Sequence, residues 1–271
     1  QNQDKNVIME ILEQLDFVTF YLILSLFLSL FYVLIISIYL FGWTKIPIWK
    51  IPKRFKSKTK VSILIPARNE AENIMSCLGS ILGQNYPREL FEIIVLDDFS
   101  TDGTLKTVSE FVSNWNLPTN FIQCLKLADF LSEKDTQSFK KKAIEIGIKH
   151  STGKLIVTTD ADCQVQPNWL NYLVSFYEKN DVKFIAAPVN FYKEKSLFER
   201  FQSLDFMGMM CVTGAGIRLR LGNMCNGANL AYEKAAFFEV NGFEGINQIA
   251  SGDDMLLMQK LAEKYPSEIG F

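Results

Sequence analysis

Histidine is nearly missing from these 271 residues, His150 being the only one. A metal centre of several histidines is nearly excluded, and a triad built on imidazole would have to use that one residue. Cysteine is sparse too: Cys77, Cys124, Cys163, Cys211 and Cys225 are odd in number, widely spaced and without a CxxC pair. That pattern fits neither a disulfide framework nor a zinc site, so free thiols in a reducing compartment are expected. Charge of one sign is not in excess, with Lys+Arg 28 against Asp+Glu 30, and nothing in that balance points to nucleic acid as a partner. Internal repeats and low-complexity tracts are also missing. Any acid–base or metal chemistry therefore falls to carboxylates.

Charge is absent locally as well. From Phe17 to Trp43 the chain runs FVTFYLILSLFLSLFYVLIISIYLFGW, and about 20 apolar residues in a helix already span a bilayer core. The run is too long for a cleaved signal peptide, and acidic Asp4, Glu10, Glu13 and Asp16 precede it, with only Lys5 opposing them. Its length and aromatic flanks also distinguish it from the core helix of a soluble protein. The expected plan is a flank over 1–16, a transmembrane helix over 17–43, a linker over 44–60 and a globular domain over 61–271. The linker carries Lys45, Lys50, Lys53, Arg54, Lys56, Lys58 and Lys60 and no acidic residue, so the positive-inside rule puts it and the domain in the cytoplasm, and it suits anionic headgroups.

Beyond the linker, VSILIP (61–66) is an apolar, β-branched run followed by apolar residues at helical spacing in NEAENIMSCLGSIL. FEIIVL (91–96) is a second strand, followed by turn and capping chemistry in DDFSTDGT and a helix over 105–115. A region without clear pattern lies near 123–138; Lys140 to His150 is then helical, and Lys154 to Thr159 forms a third buried strand ending in Asp160–Ala161–Asp162. Alternating strands and helices imply a mainly parallel sheet with flanking helices. KFIAAPVNFY (183–192) has the look of a strand, and Leu197 to Met210 that of an amphipathic helix.

In such sheets ligands bind beyond the carboxyl ends of the strands, where ARNE, DDFSTDG and DAD all fall. Asp160 and Asp162, two apart on an extended segment, point the same way and suit Mg²⁺ or Mn²⁺ bridging a diphosphate; a capped turn is the plainer reading. Asp97 and Asp98 can accept hydrogen bonds from a base or ribose, or simply cap a turn together with Asp102. Arg68, Asn69 and Glu70 sit at a strand-to-helix junction suited to nucleoside and phosphate, though Asn69 could be a plain N-cap and Arg68 a solvated charge. Of Lys140, Lys141 and Lys142, one or two can reach the crevice and the others belong on a solvated face. Asp253 and Asp254 open a further helix, where one can cap and the other act as a base. His150 is expected to satisfy the end of its helix. Two phosphate motifs fail: GIKHSTGKL runs from helix to strand and lacks the final Ser/Thr, and Gly214–Ala215–Gly216 lacks a third glycine.

VSILIPARNE, IIVLDDFSTDGT, FKKKAIEIGI, LIVTTDADC, MCNGANLAYEKAAFFEVNGF and SGDDMLL, in this order, closely resemble the family 2 glycosyltransferases of GT-A fold, over about 61–257. The resemblance implies inverting, metal-dependent transfer from a nucleotide diphosphate sugar, UDP-sugars first, with Mg²⁺ or Mn²⁺ as cofactor. It implies that Ala67, Arg68, Glu70 and Asp98 surround the nucleoside and that Lys140 and Asp160 lie near ribose, diphosphate or sugar. Asp162 is the principal metal ligand by the same similarity, with Asp160 beside it. Asp254 is the implied catalytic base, and Asn226, Gly227, Asn229 and Asp253 form the acceptor side. A lipid-linked or polysaccharide acceptor at a membrane, in the first place a bacterial inner membrane, completes the expectation. Phe139 and Asp253 depart from the family's usual Gly and Glu. The chain also stops at Phe271, before the Gln-x-x-Arg-Trp motif and further membrane helices of many relatives; with Gln1 in place of Met, this suggests a truncated chain or a short variant. Two rival readings are a silent module that binds nucleotide sugar or scaffolds polysaccharide assembly, and a nucleotidyltransferase releasing pyrophosphate. A glycosidase would need two carboxyls flanking the bond, and the nucleotide-site motifs argue against it.

Overall fold

The computed structural model describes residues 2–115, 118, 120–131, 138–221, 224–247, 249 and 252–271, with backbone alone for 2–15. Gln1, the flank's acidic side chains Asp4, Glu10 and Glu13, residues 132–137 of the patternless region and Ser251 of the last motif lie outside what is described.

Helix α1 (Asn2–Thr44) is continuous, so the backbone of the flank prolongs the apolar helix. Its stretch Asp16–Thr44 is long and apolar enough to cross a membrane and is almost wholly bare. At ~1.5 Å per residue, 29 residues exceed the ~30 Å of a hydrocarbon core.

The sheet contains β1 (Val61–Ala67), β2 (Phe91–Asp97), β3 (Ile122–Lys126), β4 (Leu155–Thr158), β5 (Phe184–Ala186), β6 (Leu230–Glu233) and β7 (Ile269–Gly270). Their spatial order is β3-β2-β1-β4-β6-β5-β7. β1 pairs in parallel with β2 and β4, and β2 with β3, whereas β6 runs antiparallel to both β4 and β5. The continuous apolar runs have a direct cause. Ile63, Ile65, Ile93, Val95 and Val157 feed the core on one face, and Leu64, Ile94, Leu96 and Ile156 feed the other. A strand covered on both sides cannot alternate apolar with polar.

The helices are α2 (Ile74–Leu82), α3 (Thr104–Asn114), α4 (Phe139–His150), α5 (Trp169–Asn180), α6 (Leu197–Leu219), α7 (Lys234–Glu239) and α8 (Asp253–Lys264). Close packing sets the local detail. A Cβ on Gly147 would stand 3.0 Å from Leu96 Cδ1, which lets α4 lie on the sheet; one on Gly153 would stand 2.5 Å from the Ser62 backbone nitrogen. Beside Gly153, the buried Glu92 carboxylate accepts from Ser62 Oγ and from the Thr152 amide and hydroxyl, tying β1, β2 and the entry to β4 together.

The sequence expectations need four corrections. β3 lies at the start of the region that showed no pattern, because it is a partly exposed edge strand in which only Ile122 is buried. β6 escaped notice because Leu230–Glu233 is a short segment without a long continuous apolar run, paired through the antiparallel partners β4 and β5. The strand expected over 183–192 keeps three residues, and α6 runs on to Leu219. Finally, β4 ends at Thr158, so Asp160 and Asp162 stand in a turn closed by the Cys163 N–H donating to the Asp160 carbonyl.

Candidate functional site

The carboxyl ends of β1, β2 and β4 lie side by side, in register Ala67 with Asp97 and Leu64 with Thr158. Each strand is short enough to release its next residues at the same edge, so the polar turns of three βα units meet there. Pro66, Ala67, Arg68, Glu70, Asp98, Lys140, Asp160, Ala161 and Asp162 line one cavity of 270 Å³. All six expected donor-side residues and both expected metal ligands belong to that lining. Two polar atoms at this edge, Asp97 Oδ1 and Thr159 Oγ1, are buried without a hydrogen-bond partner among the described residues.

The first two turns hold each other. Asn69, at φ 58°, accepts from the Thr101 amide at 2.8 Å and donates its own N–H to Ser100 Oγ at 3.1 Å. It therefore locks two loops instead of capping α2, whose N-cap is Asn73. Asp102 does what turn chemistry predicts: its oxygens accept the Thr104 and Ala71 amides, at 2.9 and 3.1 Å. The Thr104 hydroxyl and these amides hold its carboxyl below the ordinary aspartate value. Arg68 stands 3.7 Å from Asp98 and over the Phe139 ring, so it is half paired rather than a free surface charge.

Lys140 is the hub. Its Nζ donates to Asp160 Oδ1 at 2.9 Å. A Cβ built on Gly227 would lie 3.6 Å from Lys140 Nζ and 3.7 Å from both Asp253 Oδ2 and Asp254 Oδ2. The ammonium thus stands between the DAD turn and the carboxylate pair that opens α8. Burial alone would pull Lys140 down, but Asp160, Asp253 and Asp254 outweigh it and hold its pKa above the ordinary value. Burial pushes the Asp253 carboxyl up, with Lys140 opposing and Asp254 adding. Asp254 accepts from the Gly227 amide at 2.9 Å and from the Met255 amide at 2.7 Å.

On the expected acceptor side, Gly227 faces these groups, while the two asparagines serve the scaffold. Asn226 Oδ1 accepts the Ala228 amide, and Asn229 accepts from Trp169 Nε1 and donates to the Pro188 carbonyl. His150 bonds the Ile146 carbonyl of its own helix through Nδ1, as expected.

Lys141 overturns an expectation. It is 2% exposed, not on a solvated face, and its Nζ donates to the carbonyls of Ile246 and Ile249. It thereby anchors the segment leading to Asp253. The signal was legible: Lys141, Ile144 and Ile148 recur at the buried spacing of α4.

Asp160 and Asp162 suit a hard divalent cation. They flank the buried Ala161 and open into the cavity, and a cationic ammonium already rests on Asp160. Among the described residues no group of three or more metal-ligating side chains converges. The protein offers two carboxylates, so diphosphate oxygens and water would complete the shell, the habit of Mg²⁺ at phosphate sites.

A mainly parallel sheet flanked by helices, with an acidic turn after β4 and a second acidic pair across the crevice, is the architecture of a GT-A-type glycosyltransferase domain. Residues 62–239 match the model of glycosyl transferase family 2, and the chain belongs to that family. It is 29% identical over 197 residues to the glycosyltransferase AglE of Haloferax volcanii, covering 72% of this chain and 59% of AglE. It is 22% identical over 230 residues to the poly-beta-1,6-N-acetyl-D-glucosamine synthase of Staphylococcus epidermidis, covering 83% of this chain and 52% of the synthase. The chain thus spans little more than half the length of these relatives. Its fold resembles the mannosyltransferase PcManGT from Pyrobaculum calidifontis, solved with GDP-Man and Mn²⁺, at TM-score 0.64 and 23% identity over 84% of this chain and 59% of that one. It also resembles TarS 1–349 of S. aureus with UDP-GlcNAc, at TM-score 0.54 and 18% identity over 78% of this chain and 56% of that one.

Proposed function

We propose that this chain carries out inverting transfer of a hexosyl group from a nucleotide diphosphate sugar, a UDP-sugar first, to a lipid-linked or polysaccharide acceptor beside a membrane that α1 crosses, with the domain on the cytoplasmic face. The observation that carries the reading is Lys140, seated between Asp160 and the Asp253–Asp254 pair and lining the same cavity as Arg68, Glu70 and Asp98. One basic group bridges the acidic turn and a candidate base. The complexes of PcManGT with GDP-Man and of TarS with UDP-GlcNAc support a nucleotide-sugar donor on this fold.

In this mechanism Ala67, Arg68, Glu70 and Asp98 surround and orient the nucleoside at the ends of β1 and β2. Asp160 and Asp162 would hold a divalent cation, which when bound would neutralise charge on the leaving diphosphate. Lys140 adds a positive charge on the same side without leaving Asp160. Asp254 takes the proton of the acceptor hydroxyl; the oxygen forms its bond to the anomeric carbon from the opposite face, and the bond to the diphosphate breaks with its electron pair going to phosphate. Without a Cβ, Gly227 leaves this approach open.

Calorimetric titration of UDP with Mn²⁺ tests the donor half. Asp162→Ala is expected to weaken binding at least ~30-fold, or about 2 kcal/mol, and unaltered affinity would remove Asp162 from the metal site. The released product, UDP from a UDP-sugar rather than pyrophosphate from UTP, separates sugar transfer from nucleotidyl transfer.

A further inference from the structure

Strand β4 is apolar until its last residue. Leu155, Ile156 and Val157 are fully buried, and Thr158 follows at 3% exposure. A hydroxyl in such a place costs stability unless it is bonded, and this one donates to the Gly227 carbonyl at 2.8 Å. The pleat explains the reach. Residues two apart on a strand share a face, so Thr158 lies on the side of Ile156, whose core cluster contains Leu257 and Met258 of α8. On the other side of the Gly227 Cα, the Gly227 amide donates to Asp254 Oδ2 at 2.9 Å. The two peptide groups that flank Gly227 are thus each pinned, one to the strand leading into the DAD turn and one to the candidate base. Glycine rotates more freely than any other residue, so the conformation at Gly227 depends on these bonds. The rest of the turn is fastened separately, Asn226 holding the Ala228 amide and Asn229 being tied to Trp169 and Pro188.

We propose that Thr158 is a positioning residue for transfer: its hydroxyl holds the Gly227 turn, and through that turn Asp254 Oδ2, at a set place relative to Asp160, which follows two residues along the chain. The proposal rests on the reading of Asp254 as the base. Of the two amides that Asp254 accepts, that of Met255 belongs to α8 and moves with it, whereas that of Gly227 refers the carboxylate to the sheet. A base carried on one element and a donor turn carried on another must keep their separation for the acceptor oxygen to meet the anomeric carbon. Thr158 stands outside the lining of the donor cavity, so its hydroxyl acts on turnover and not on nucleotide capture.

The test is a double-mutant cycle on the full chain, read as release of UDP from UDP-GlcNAc with membranes of the source cells as acceptor, beside calorimetric UDP binding with Mn²⁺. Thr158→Val keeps the side-chain shape and removes the hydroxyl, whereas Thr158→Ser keeps the hydroxyl. The expected result is a fall in kcat of at least ~10-fold for Thr158→Val, with donor KM and UDP affinity within about threefold and with kcat restored to within about threefold in Thr158→Ser. In a chain that already carries Asp254→Asn, Thr158→Val should cost less than about twofold more, because no base is left to misplace. Equal losses in the Val and Ser variants, or an undiminished effect of Thr158→Val beside Asp254→Asn, overturn the proposal and leave Asp254 as the base. Wild-type turnover of Asp254→Asn removes the base, and the proposal falls with it. A second measurement needs no turnover: hydrogen exchange at the Gly227 amide should quicken at least ~10-fold in Thr158→Val while the chain still melts cooperatively. An unchanged exchange rate overturns the proposal.

Discussion

Exchanging Asp254 for Asn changes one atom and separates two jobs. The carboxylate now accepts two backbone N–H groups, from Gly227 at 2.9 Å and Met255 at 2.7 Å. A carboxamide offers one acceptor oxygen, so its NH₂ must face one of those amides. The loss of a single charge-assisted hydrogen bond at a half-buried site is worth ~1–2 kcal/mol. For a domain of this size that lowers the melting temperature by roughly 2–8 °C. The catalytic cost is of another order: removing a general base costs about 10²- to 10⁴-fold, or ~3–5 kcal/mol. The assay is release of UDP from UDP-sugar, with acceptor supplied by membranes of the source cells, beside calorimetric UDP binding with Mn²⁺. Turnover should fall at least ~100-fold while nucleotide affinity stays within about threefold, less than ~0.7 kcal/mol. Asp253→Asn is the matched control, because burial raises that carboxyl and Lys140 faces it. If Asp254→Asn keeps wild-type turnover while Asp253→Asn loses it, the base is Asp253 and Asp254 only fastens the Gly227 turn.

Glu145 should show a pH-dependent contribution. Burial pushes its carboxyl up, but the ammoniums of Lys149 at 2.6 Å and Lys142 at 3.0 Å outweigh that and hold it below the ordinary glutamate value. A depressed folded pKa stabilises above the unfolded value of ~4.3 and ceases to as pH falls through the folded one. The melting temperature of Glu145→Gln should therefore trail wild type at pH 7, with the gap closing as pH falls below that value; a constant gap would refute the pairing. Lys141→Met leaves the Ile246 and Ile249 carbonyls without their ammonium donor, at ~1–3 kcal/mol, whereas Lys142→Met on the half-exposed side should cost under ~1 kcal/mol. Equal denaturation midpoints for the two variants would contradict the buried placement of Lys141.

Much of this protein is local and was readable in the chain. Runs such as VSILIP and FEIIVL must be strands covered on both faces, the charge-free run of 17–43 must be helical and apolar, and DDFSTDGT has the residues a turn needs, which Asp102 and Thr104 then form. The gathering of Arg68, Asp98 and Asp160 at one edge followed from strand–helix alternation, since parallel strands end on the same side. Residue type alone did not decide which member of a polar group faces inward, though the spacing of Lys141 with Ile144 and Ile148 carried the signal for one of them. Among three consecutive lysines, Lys140 enters the crevice and Lys141 the core, because the rotation of α4 is set by the apolar contacts of Ile144 and Ile148. Asn226 and Asn229 spend their amides on the scaffold while Gly227 between them meets Lys140 and both aspartates. Strand β6, antiparallel between β4 and β5, was invisible for the same reason. A residue's type is written locally, but its direction and its neighbours come from the packing of segments far apart in the chain, and only the closed sheet sets them.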